Sequence, residues 1–92
     1  MSNEGFKSAV SSLLDEWNRR EIDIDHLAHK FETAAWNFHF RNGDLPRSLR
    51  SLVNKVELIR FTALKENQHV AITNTLVSAL NLTEAELDDH AN

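Results

Sequence analysis

The chain has 92 residues, 41% of them hydrophobic and 26% charged, with a net charge of −4 and no cysteine. That length fits one small domain around a single core, and the missing cysteine excludes disulfides and thiolate metal sites. Two glycines and one proline are too little punctuation for a β-rich fold, so the expectation is an all-α bundle of four to five helices in one domain, 1–92. The opening MSNEGFKSAV has no basic segment followed by an apolar run, and no stretch approaches the roughly 18 apolar residues of a membrane span. The expected location is cytoplasmic, without membrane contact.

Charge is segregated along the chain. Residues 1–46 carry five basic and eight acidic side chains. Residues 47–66 carry Arg47, Arg50, Lys55, Arg60 and Lys65 against Glu57 and Glu66, and the remainder has only Glu84, Glu86, Asp88 and Asp89. A basic segment thus lies between two acidic ones. Its positive face is expected chiefly to pair with neighbouring acidic helices.

The first helix is predicted over about residues 4–20, where Phe6, Ala9, Val10, Leu13, Leu14 and Trp17 form an amphipathic stripe. Ser2 and Asn3 are candidate N-caps, and Arg19 and Arg20 suit a helix C-terminus. A second helix is predicted over 23–42. Asp23 can cap it, Ile22 can clasp Leu27 in a hydrophobic staple, and Gly43 after Asn42 can close it as a left-handed cap. Ile24, Leu27, Ala28, Phe31, Ala34, Ala35 and Phe38 line one face, while Trp36 and Phe40, four apart, fall on another.

The third helix, 46–66, is the expected centre of the fold. Pro46 suits a first turn, and Leu49, Leu52, Val53, Val56, Ile59, Ala63 and Leu64 recur at three-and-four spacing. Leu58 and Phe61 lie roughly opposite, sharing their side with Arg47, Arg50, Ser51 and Asn54. If the helix ran on unbroken, its stripe would meet Asn67 and Asn74, so a break is placed near 66–69 and a fourth helix over 69–80, with Val70, Ile72, Leu76, Val77 and Leu80 on its apolar side. The alternative is one long helix that changes its buried face. Thr83 and Glu86 form a capping box for a short last helix, 84–89.

No motif for catalysis is present. The densest polar cluster, Asp23, Asp25, His26, His29 and Glu32, lacks an HExxH pattern and a third ligand at recognised spacing, so no metal site is expected. His39 and His69, near helix ends, read as packing or hydrogen-bonding residues. The serines stand in no nucleophile elbow, and no glycine-rich loop could cradle phosphate. The expectation is a non-enzymatic protein without cofactor.

Two binding surfaces are suggested. Arg47, Arg50 and Asn54 open a helix after a Gly-containing turn, as in a DNA-recognition helix, but acidic flanks oppose the summed positive field that phosphate binding needs. Alternatively, Asp15, Glu16, Glu21, Asp23 and Asp25 could steer the domain onto a basic protein while Trp36, Phe40, Leu58 and Phe61 supply apolar anchors. A self-associating homodimer would have a similar composition. The acidic helical layout LLDEWNRREIDIDHLAHKFETAAW, a loop, then LPRSLRSLVNKVE, over about residues 13–66, resembles small bacterial immunity proteins of the colicin and contact-dependent-inhibition kind. That resemblance implies a cognate toxin, often a cationic RNase, bound and occluded in the cytoplasm. It transfers no individual residue by position.

Overall fold

In the computed structural model, residues 4–39 and 44–88 are described, and they form five α-helices. These are α1 (Glu4–Asn18), α2 (Ile24–His39), α3 (Arg47–Thr62), α4 (Lys65–Leu80) and α5 (Glu84–Leu87). α1 packs on α2 and α4, and α3 packs on α2, α4 and α5. The contacts show alternating directions. Phe6 at the start of α1 meets His39 at the end of α2, and Arg60 near the end of α3 meets Asp25 at the start of α2. Trp17 at the end of α1 meets His69 near the start of α4, giving an up-down-up-down bundle.

The inner stripes of α1 and α2 follow the periodicity. Phe6, Val10, Leu13 and Trp17 of α1 are buried against Leu27, Ala28, Phe31, Ala34 and Ala35 of α2. α3 contributes Leu49, Val53, Val56 and Ile59, and α4 contributes Ile72, Leu76 and Ala79. Each fully buried large side chain, such as Phe31 or Leu76, contributes about 1.5–3 kcal/mol by leaving water. Trp17 is more than a core filler: its indole N–H donates to the His69 carbonyl at 3.1 Å, and its ring stacks on the His69 imidazole at 5.4 Å.

Helix ends follow their local chemistry. Asp23 caps α2, its carboxylate accepting the His26 backbone N–H at 2.8 Å. Ile22 is half-buried against the core, which it shares with Leu27, as a staple requires. α1 stops at Asn18, short of the expected residue 20, because Arg20 adopts a left-handed φ of 58°. There Arg20 N–H donates to Trp17 O and Glu21 N–H to Glu16 O, the paired bonds of a Schellman end. Thr83 and Glu86 make the capping box in both directions, although α5 ends at Leu87 rather than residue 89.

The largest departure lies between α3 and α4. The break falls at Ala63 and Leu64, both extended (ψ 142° and 146°), not at 66–69, so α3 ends at Thr62 and α4 begins at Lys65. Thr62 Oγ1 donates to Leu58 O at 2.6 Å, and Leu64 O accepts the N–H groups of Asn67 and Gln68, closing one helix and opening the next. Leu64, expected in the core, is therefore exposed at this corner. Phe38, also expected in the core, is half-exposed because its ring lies over the first turn of α1. A Cβ on Gly5 would stand 2.5 Å from Phe38 Cε1, so glycine allows that approach. α2 is described to His39; the expected caps at Ser2, Asn3 and Gly43, the Phe40 anchor and the tail from Asp89 onward lie outside the described residues. Among the described residues, no helix is long and apolar enough to cross a membrane.

Candidate partner-binding surface

The end of the bundle where α2 begins and α3 ends gathers several of the expected residues. Arg60 organises it. Its Nε donates to Asp25 Oδ1 at 2.7 Å and its Nη1 to Glu57 Oε2 at 3.4 Å, while the guanidinium carbon stands 4.8 Å from the centre of the Phe61 ring. The hydrogen bond that Asp25 accepts, then the charges of Asp25 and Glu57, hold the Arg60 guanidinium above its usual pKa. Asp23, two residues before Asp25, is held below the ordinary carboxylate pKa, chiefly by the His26 backbone N–H it accepts. Asp25, Glu57 and the Arg60 guanidinium thus border an apolar corner.

Its apolar residues are Leu58 (61% exposed) and Phe61 (72%) on α3, and Leu64 (63%) at the bend after it. Leu58 and Phe61 are three apart on α3 and project from the side opposite Leu49 and Val56, as their spacing predicts. Leu64, at the bend that follows, is exposed because the two extended residues end α3 before it could continue the buried stripe. Asp23 and Asp25 also line a cleft of about 380 Å³ beside the stacked Trp17–His69 pair, with Arg20 and Lys65 on its other walls.

The remaining expected anchors lie elsewhere. Trp36 is 53% exposed and borders a cleft of about 260 Å³ shared with Arg50, Asn54 and Asp44, toward the opposite end of the α2–α3 groove. Glu16 pairs with Lys30 at 3.3 Å, and Asp15 and Glu21 are exposed on α1 and the α1–α2 link. The structure therefore brings Asp25 beside Phe61 through Arg60, places Asp23 with Asp25 on the neighbouring cleft, and leaves Trp36 apart. Two members were missed from sequence: Leu64, assigned to the buried stripe, and Arg60, assigned only to a generally basic face. The Asp25–Arg60 pair spans 35 positions in the chain, and no local pattern signals it.

At the start of α3, Arg50 pairs with Asp44 at 3.3 Å, and Ser48 Oγ donates to Glu86 O at 2.9 Å. Acidic α5 therefore lies beside the start of α3, while Arg47, Arg50 and Asn54 stay exposed. Among the described residues, no three His, Asp or Glu side chains are grouped so as to hold a metal ion. Comparison of the chain with protein-family models, with curated proteins and with solved structures finds no match.

Proposed function

We propose that this chain is a non-enzymatic protein-binding module, most concretely an immunity-type inhibitor that occludes a basic toxin or nuclease in the cytoplasm. The observation that carries the reading is the exposed apolar pair Leu58 and Phe61 near the end of α3, beside an Arg60 held by Asp25 and Glu57, with exposed Leu64 at the following bend. Burying a Phe or Leu side chain in a partner contributes about 1.5–3 kcal/mol each, enough for a hot spot, while the carboxylates favour a cationic partner and speed its approach. The sequence resemblance to small immunity proteins supports the same kind of partner.

The DNA-binding alternative is opposed by the Arg50–Asp44 pair and by α5 lying against Ser48. The direct experiment is co-purification with the product of the neighbouring reading frame, comparing wild type with Phe61→Asp and Asp25→Lys. Phe61 is 72% exposed, so its replacement costs at most the contact with Arg60 and leaves the fold intact; loss of the complex by a folded variant is the expected result. Retention of the complex by both variants would refute the assigned surface, and salt-sensitive retention on DNA lost in Arg47→Ala/Arg50→Ala would refute the function.

A further inference from the structure

Arg60 stands next to the exposed Phe61 and yet is largely covered, its side chain being 31% exposed. Neighbours in sequence do not face each other on a helix, so the place of the guanidinium, 4.8 Å from the centre of the Phe61 ring, has to be fixed by other groups. Two carboxylates do this. Asp25, in the first turn of α2, accepts from Nε, and Glu57, one turn back on α3, accepts from Nη1. The arginine is thus tied to two helices and has its charge met within the molecule. Phe61, on the outside of α3, has little packing of its own. An exposed phenylalanine on a helix divides between two χ1 wells, at about 180° and −60°, and ordering it when a partner binds costs affinity. A guanidinium resting on one face of the ring favours the well in which that contact is made.

We infer that Arg60 is a positioning residue of the partner-binding corner, anchored by Asp25 from the neighbouring helix and acting on a partner through the Phe61 ring rather than by its own charge. The inference rests on the proposed function, and it changes what Asp25 does there. Asp25 Oδ1 is committed to Arg60 at 2.7 Å, so this carboxylate serves first as the support of the ring and second as a charge facing a basic partner. The two roles separate by substitution. Arg60→Lys keeps the charge but loses the Nε donor and the planar fork, whereas Asp25→Asn loses the charge but keeps an accepting oxygen.

The test uses the whole chain, with the product of the neighbouring reading frame as probe, and compares wild type, Arg60→Lys, Asp25→Asn and Phe61→Asp by calorimetric titration and by NMR of the free protein. An ion pair in which Asp25 is 70% exposed adds little to stability, so these variants stay folded. In free wild type, three-bond couplings are expected to give one χ1 rotamer for Phe61, and in Arg60→Lys an average of two. The Arg60→Lys complex should be about three- to tenfold weaker than that of wild type, with Asp25→Asn between them. A Phe61 that is averaged in free wild type or unchanged in Arg60→Lys, or an Arg60→Lys complex as tight as that of wild type, would overturn the inference. So would an Asp25→Asn complex weaker than that of Arg60→Lys, the order expected of a carboxylate acting directly by its charge. No wild-type complex, or one that Phe61→Asp leaves intact, would instead refute the proposed function on which the inference stands.

Discussion

The left-handed residue that ends α1 permits a test in which glycine should outperform alanine. Arg20 has φ 58° and occupies the position of a Schellman end that glycine usually fills. For an L-residue this conformation costs about 1–2 kcal/mol, which Arg20→Gly relieves and Arg20→Ala does not. Both variants remove the same guanidinium, so its interaction with the helix dipole cancels between them. The greater freedom of glycine in the unfolded chain returns roughly 0.5–1 kcal/mol of the gain. Arg20→Gly should therefore exceed Arg20→Ala in stability by about 0.5–1 kcal/mol, which at about 4–8 °C per kcal/mol for a domain of this size is a difference of about 2–8 °C in Tm. Paired urea and thermal melts measure it. Elsewhere in a helix the order is reversed, with Ala favoured by about 0.5–1 kcal/mol. An Ala variant equal to or more stable than the Gly variant would show that the chain does not turn through Arg20 in this way.

Two further outcomes test the helix ends. Thr83→Ala removes the acceptor of the Glu86 N–H at 3.1 Å and should cost about 1 kcal/mol; amide exchange should rise first at Glu86 and Leu87, where α5 rests on α3. Asp23 has a folded-state pKa below its unfolded value, so its contribution is complete above the unfolded pKa, near pH 4, and is lost as pH falls through the lower, folded value. Asp23→Asn keeps a capping oxygen without a titrating group, so its Tm should fall less steeply than that of wild type below about pH 4; parallel curves would refute the assignment.

Most of the core was legible because it repeats at helical spacing. Phe6, Val10, Leu13 and Trp17 could be assigned to one face without knowing what covers it, and Asp23 and Thr83 announce their helices by chemistry confined to three residues. The α3–α4 break was displaced because Thr62-Ala63-Leu64-Lys65 contains neither glycine nor proline and would itself tolerate a helix; packing overrides propensity there. Phe38 was misplaced because the pattern of α2 says nothing about where α1 begins. For the candidate surface, the exposure of Trp36, Leu58 and Phe61 followed from their position off the buried stripe. Their grouping did not, since most of the length of α2 separates Trp36 from the corner that Asp25 and Arg60 frame.

The position of the break explains why that corner exists at all. At 100° per residue, Leu58 and Phe61 would lie on the same side of one straight helix as Ile72 and Leu76. They would form a single stripe crossing from the α3 region into the α4 region. The bend at Ala63–Leu64 divides it: Ile72 and Leu76 turn inward and become fully buried, while Leu58 and Phe61 are left outside. Closure of the bundle needs only the second half. At Arg47, Arg50, Ser51 and Asn54, earlier positions on that outer side, the chain carries polar residues, which shows that this face of α3 folds without apolar groups. Leu58 and Phe61 are therefore not required by the fold in the way Ile72 is. Under the proposed function, leucine and phenylalanine beside an arginine already held by Asp25 and Glu57 are the groups that a partner would bury.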